Sequence, residues 1–357
     1  MKVGLLLPAN ISYCPYANIY MRVLDELEIS YDIIYCDKNG ANEPAAYRYA
    51  KPLDSQCGML KKFLYYWNFA RYISKVVKGE RYDKLIVFTP QLAIFLYPFL
   101  KKYYAGRFIL DYRDLSIEQK FMGIYKKVQK IAAYNMISSP GFKKYLPGDV
   151  EYILSHNFNI DTLNQAIQDY RQDAYSIKSD NGLINVLTIG GIRDYEQNKA
   201  VMIALGNQKG FSVSFVGRGD AAPLLEKDAA DNHLENVTFK GFYKKEDEPG
   251  YIYESTLINI FYPRKPSHDT AISNRFYNSL IFRKPMITTK DTVQGDYSEK
   301  FNVGLAIEST ENLPEQLSNY IDNFDSRVYE ANRMKLLKEF YTDYQVFYNA
   351  VSSFVTK

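Results

Sequence analysis

Residues 184–191 read Ile-Asn-Val-Leu-Thr-Ile-Gly-Gly, and residues 2–8 read Lys-Val-Gly-Leu-Leu-Leu-Pro. Each is a short, nearly unbroken apolar run closed by residues that break regular structure. Each leads through a loop into apolar positions at helical spacing: Ile19, Val23, Leu24 and Leu27 after the first, and Ala200, Met202, Ile203 and Leu205 after the second. Strand, loop, helix is the opening unit of a parallel α/β layer, because a strand covered on both faces carries no polar alternation.

The same rhythm extends outward from both stretches. Apolar runs at 29–36, 85–89, 107–111 and 136–139 predict further strands in the first half, with helical patterns near 58–78, 91–104 and 118–134. The second half predicts strands at 212–216, 237–239, 257–261, 285–289 and 304–307. Residues 161–180, rich in Gln, Asn, Asp and Ser, read as a linking region. The expectation is an α/β protein of two doubly wound, Rossmann-like domains, 1–160 and 161–339, with a ligand at the carboxyl ends of the strands in the cleft between them.

Composition narrows the class. With 46% hydrophobic and 24% charged residues in 357, the chain is neither disordered nor fibrous. The longest apolar run, Leu92 to Leu100, ends at Lys101-Lys102 and is far short of the ~20 residues that cross a bilayer. The apolar start stops at Pro8, too short for a secretory signal, so a cytoplasmic location is expected. Three cysteines and three histidines, without ligand spacing, argue against a disulfide framework or a metal site. The net charge of +3 hides an asymmetry: residues 1–160 hold 22 Lys and Arg against 14 Asp and Glu, and the remainder is net acidic.

Three stretches could carry chemistry. Gly190-Gly191-Ile192-Arg193, with Lys199 beyond, ends the first strand of the second half, where glycines admit a phosphate and the cations supply countercharge; a tight turn with two solvated cations reads equally well. Gly217-Arg218-Gly219 repeats the pattern one strand later. The third is Pro266 to Asn278: Ser273 is a plausible N-cap, which places Asn274 and Asn278 at i and i+4 on one helical face where they could hold ribose hydroxyls and a diphosphate, although on spacing alone a capped amphipathic helix is the commoner reading. No dinucleotide fingerprint of the form G-x-G-x-x-G and no P-loop occurs.

Asn274-Arg275-Phe276-Tyr277-Asn278, running on to Arg283-Lys284-Pro285-Met286-Ile287, resembles the donor-site segment of family 4 glycosyltransferases, typically Asn-Lys-hydrophobic-aromatic-Glu followed by Gly-Lys-Pro-Val-Ile. The resemblance continues in order along the chain: Asp111-Tyr112-Arg113-Asp114-Leu115, Ser138-Ser139-Pro140-Gly141-Phe142, His156-Asn157-Phe158-Asn159, Val216-Gly217-Arg218-Gly219 and Val237-Thr238-Phe239-Lys240-Gly241. It implies the GT-B fold, with a C-terminal helix (Glu330 to Phe354 in pattern) whose end, about 340–357, packs back on the first domain. It also implies transfer of a sugar from a nucleotide diphosphate sugar to a glycan or lipid-linked glycan, as in capsular or other cell-surface polysaccharide synthesis. Retention at the anomeric carbon and no metal or other cofactor are part of the same implication.

The family's two glutamates, seven residues apart, contact the donor sugar and ribose; the matching positions here are Ala271 and Asn278, with His268 or Asp269 as partial substitutes. On this reading Ser273, Asn274, Arg275 and Asn278 hold the nucleotide. Gly190, Gly191, Arg193, Lys199, Gly217 and Arg218 face the diphosphate. Asp111, Asp114 and His268 are the candidate catalytic groups, although a strand-end aspartate such as Asp111 serves equally to cap the following turn, and residues 10–16 border the acceptor. The trio Glu246-Asp247-Glu248 reads as a surface loop. Basic clusters interleaved with aromatics, Lys61 to Trp67, Lys101 to Tyr104 and Lys126-Lys127, suit an anionic membrane surface as partner, or are solvated helix faces; no nucleic-acid motif is present. Two other readings remain: a nucleotide-sugar-binding scaffold that has lost catalysis, and a nucleotide-sugar epimerase of the same fold.

Overall fold

The computed structural model describes residues 1–357 except 54–56, 172, 174 and 178–181. The chain divides into two units, Met1–Asn159 with Thr342–Lys357, and Ile160–Tyr341. The first is built on seven strands: β1 (Lys2–Leu7), β2 (Ser30–Asp37), β3 (Tyr47–Ala50), β4 (Lys84–Phe88), β5 (Phe108–Tyr112), β6 (Tyr134–Ile137) and β7 (Ile153–Leu154). The second has six: β8 (Ile184–Gly191), β9 (Phe211–Arg218), β10 (Val237–Lys240), β11 (Leu257–Ile260), β12 (Met286–Thr289) and β13 (Gly304–Ile307).

Both sheets are parallel throughout, in the orders β3-β2-β1-β4-β5-β6-β7 and β10-β9-β8-β11-β12-β13. Each order reverses direction after its first strand, between β1 and β4 and between β8 and β11, which makes a crevice at the carboxyl ends of those strands. Alternate side chains of β1 and β4, Leu5, Leu7, Ile86 and Phe88, pack with the helix Asn18–Glu26 and with Phe347, Val351 and Phe354 of the C-terminal helix. That helix is one 31-residue element, Ser326–Thr356.

The first part of the expected linking region is helical. Ile160–Gln168 is a helix whose Ile160, Leu163 and Ala166 are buried, and Ile177 joins the second core; the rest of that stretch lies partly outside the described residues. The helix is held by a buried charge cluster. Arg333, wholly buried, is bonded bidentately to Glu330 at 2.6 and 2.8 Å and also donates to the carbonyls of Leu280 and Ala166. Burial alone would raise the Glu330 carboxyl, but the Arg333 guanidinium holds it below the usual range. Among the described residues, no helix is long and apolar enough to cross a membrane.

Candidate functional site

At the β8/β11 reversal lies a pocket of about 530 Å³. Its floor is the end of β8. Gly190 has φ +92, and a Cβ there would meet only the Tyr243 hydroxyl, at 3.9 Å, so the backbone faces open space. The second glycine pair does different work. A Cβ on Gly217, which has φ +133, would fall 2.0 Å from the Gly190 carbonyl, and one on Gly219 would fall 2.0 Å from that of Ile192. These glycines let β8 and β9 close on each other rather than admitting a ligand.

That packing decides which cations reach the pocket. Arg193 is exposed and lines it. Arg218 and Lys199, expected beside it in a diphosphate clamp, do not form its wall. Arg218 lies over the Phe242 ring, 5.1 Å from its centroid. Lys199, in the helix Tyr195–Leu205, is drawn away to the Tyr195 hydroxyl at 3.0 Å and Asp228 at 3.1 Å. The Lys199 pair is part-exposed and worth little to stability, but it leaves Arg193 as the predicted clamp residue on the pocket wall.

A second wall is the helix Asn274–Ile281, capped as its sequence predicts. The Ser273 hydroxyl accepts from the Phe276 N–H at 3.4 Å and donates to Gln294 Oε1 at 2.7 Å. Phe276, Tyr277 and Leu280 turn into the core, so Asn274 and Asn278 are left facing the pocket. Arg275 also lines it but is buried: Nε donates to the Ile189 carbonyl at 2.6 Å and Nη2 to that of Gly191 at 2.8 Å. Its guanidinium ties the helix to the end of β8 and fixes the pocket floor.

The third wall was not foreseen. Glu246 and Asp247 are exposed as expected, but Glu248 is buried and lines the pocket. Its Oε1 accepts from Asn278 Nδ2 at 2.8 Å and from Lys245 Nζ, and its Oε2 from the Tyr243 hydroxyl at 2.6 Å. Burial, and then this carboxylate, push the Tyr243 phenol well above its ordinary range, so it donates at neutral pH. No local sequence signal marks Glu248, because a charge run before Pro249 looks the same whether it is solvated or folded inward.

At the rim, His268 stands edge-on to Tyr262, with ring centroids 5.1 Å apart, and its Nε2 is 3.8 Å from Asp194 Oδ2. Desolvation lowers its pKa, which leaves the imidazole neutral near pH 7. Asp194, at φ +51, also pairs with Lys265 at 2.9 Å. Ala271 lines the pocket and brings no polar group.

The candidates in the first unit fare differently. Asp111 is fully buried: the Tyr20 hydroxyl donates to its Oδ2, Arg113 Nη2 donates to the same oxygen at 2.6 Å, and Arg113 Nε is ion-paired with Oδ1. These bonds commit Asp111 to holding the end of β5, the structural reading that a strand-end aspartate also carries. Asp114 is exposed at the turn after β5 and accepts from the Leu115 N–H at 2.8 Å. In the 10–16 loop, Asn10 is buried on Asp37 at 2.8 Å and Tyr16 stacks beneath Arg113, while Tyr13 is exposed.

Two Rossmann-like units of this strand order, with the chain end returning to the first, define the GT-B fold. Solved structures match along nearly the whole chain. They include sucrose-phosphate synthase from Thermosynechococcus elongatus (12% identity, 99% of this chain and 100% of that one, TM-score 0.70). HepE from Anabaena in complex with UDP matches at 13% identity over 99% and 100%, TM-score 0.65. The UDP-GlcNAc 2-epimerase of Methanocaldococcus jannaschii, in complex with UDP-GlcNAc and UDP, matches at 10% over 96% and 100%, TM-score 0.53. At such identities the likeness shows the fold. No protein-family model matches the sequence, and no curated protein matches it.

Proposed function

We propose that the chain is a glycosyltransferase that moves a sugar from a nucleotide diphosphate sugar to a glycan or lipid-linked glycan in cell-surface polysaccharide synthesis. The observation that carries this is the content of the second unit's pocket. It sets an exposed guanidinium, Arg193, and the N-terminus of the helix Asn274–Ile281 beside two amides and a carboxylate. Sugar transfer releases a nucleoside diphosphate, so the transition state needs positive charge at the departing phosphates. Arg193 and the helix N-terminus meet that need, and Asn274, Asn278 and Glu248 suit hydroxyl groups. His268, neutral and at the rim, is placed to exchange a hydrogen bond with the sugar. Retention at the anomeric carbon and metal independence follow from the family resemblance.

Two alternatives share the pocket. An epimerase would use it for one substrate, and the fold is shared with such an enzyme; a scaffold subunit would bind and not turn over, as the apolar Ala271 allows. Nucleoside diphosphate release from nucleotide sugars, measured with and without glycan acceptors, separates them. The account expects acceptor-dependent release that falls ten-fold or more in Arg193→Ala, because a hydrogen bond to a charged group contributes about 1.5–3 kcal/mol. Consumption without acceptor favours the epimerase, and ligand binding without consumption favours the scaffold.

The first unit supports a membrane-surface partner for the same reaction. The helices Met59–Glu80, Pro90–Tyr103 and Met122–Ile131 pack side by side and carry ten Lys and Arg against Glu80 as their one acid. Met59, Leu60, Phe63, Leu64 and Trp67 are exposed on the first of them. Cations around exposed rings and aliphatic chains fit anionic headgroups, at about 1 kcal/mol per cation near the surface. Salt-sensitive sedimentation with anionic vesicles is the expected result; equal recovery with neutral vesicles would remove this partner.

A further inference from the structure

Two carboxylates stand on the wall of the second unit's pocket, and they are not equivalent. Asp194 is committed to Lys265 at 2.9 Å and neighbours His268. Glu248 is buried, yet its bonds leave it partly open. A carboxylate offers about four lone-pair directions, two on each oxygen. On Oε2, Tyr243 takes one and leaves one. On Oε1, Asn278 takes one, and Lys245 takes the other from a side chain that is 75% exposed, a partner that water or a ligand hydroxyl readily displaces.

One acceptor site on each oxygen is the pattern that two adjacent hydroxyls fill together. Asn278 and Tyr243 each donate to one carboxylate oxygen and so fix the orientation of the group. Asn278 has spent an amide hydrogen on Glu248, which makes it a positioning residue for that carboxylate. We propose that Glu248 is the pocket's diol-binding group, taking the 2′- and 3′-hydroxyls of a ribonucleotide through one hydrogen bond on each carboxylate oxygen. This deepens the nucleotide-sugar reading and rests on it. It also gives the inward turn of the 245–248 segment a purpose: the carboxylate reaches the face of the helix Asn274–Ile281 that presents Asn278, where the chain has an amide.

The test is the ratio of affinities for a ribonucleotide and its 2′-deoxy analogue, measured by calorimetry on the full chain. UDP, GDP, ADP and CDP are titrated first, and the tightest is compared with its deoxy form. A hydrogen bond to a charged acceptor is worth about ten-fold or more in affinity, so the wild type should prefer the ribonucleotide at least ten-fold. Glu248→Gln, isosteric and neutral, should bind the two within three-fold, with the ribonucleotide losing more affinity than the deoxy form, whose remaining 3′-hydroxyl meets the same group. Asn278→Ala should lower the preference to an intermediate value, and it gives the answer should Glu248→Gln fail to fold. A wild type without preference, or variants that keep the full preference, would overturn the proposal and leave the nucleotide-sugar reading standing. A wild type that binds no nucleoside diphosphate would take both down.

Discussion

At the carboxyl end of β5 in the first sheet the charged side chains are spent on one another, whereas at the reversal point of the second sheet they line an open pocket. In the first unit, Asp111 at the end of β5 is buried against Arg113, Tyr20 and Ser155, and Tyr16 lies between Phe88 and the Arg113 guanidinium. In the second, Arg275 is sunk on backbone carbonyls behind the cavity, and Arg193, Asn274 and Asn278 face about 530 Å³ of space. Both places lie at the carboxyl ends of parallel strands; the side chains decide whether such a place becomes core or site. A charge that is neutralised within the protein marks the first outcome, and a charge left facing the cavity marks the second.

Variants that exchange these outcomes give the sharpest tests. Asp111→Ala strands the Arg113 cation in the interior, and removing one partner of a buried pair costs about 3–5 kcal/mol; chemical denaturation should show a loss of that size, whereas Arg193→Ala should leave the same curve unmoved. If Asp111→Ala folds with near-normal stability, Asp111 is not the structural node described. Ser273→Ala removes the cap that aims the helix Asn274–Ile281, at a cost of about 1 kcal/mol, and its effect on nucleotide affinity should exceed that of substitutions elsewhere on the helix exterior.

The smallest effect concerns His268. Its pKa is lowered in the fold by desolvation, so the folded state binds its proton less readily than the unfolded chain. Its contribution is therefore full above its ordinary pKa near 6.5 and falls as pH drops through the lowered value. Wild type should lose more stability than His268→Gln on acidification from pH 7 to 5, seen as diverging melting temperatures. Parallel curves would show that the imidazole is not desolvated at the rim.

The strands that the sequence made legible are those buried on both faces, such as Leu85-Ile86-Val87-Phe88 and Ile184 to Ile189. The strand Tyr47–Ala50 escaped because one buried residue in four leaves little apolar signal at a sheet edge. The helix Ile160–Gln168 escaped for a related reason: its narrow buried stripe sits among Asp, Asn and Gln. The cap at Ser273 was legible because capping is local chemistry. Glu248 was not, since its burial depends on Asn278, thirty residues away. Lys199 and Arg218 show the converse limit: spacing places a cation near a glycine turn, but Asp228 and Phe242 decide where it points.

The central claim is that the second unit's pocket is the nucleotide site. Amide hydrogen exchange with and without a saturating nucleoside diphosphate tests it most directly, since protection reports the segments a ligand orders. The account predicts the largest protection at residues 190–194, 243–248 and 273–278, with little change at 10–16 and 111–114. Protection centred on the first unit, or none in either, would contradict it.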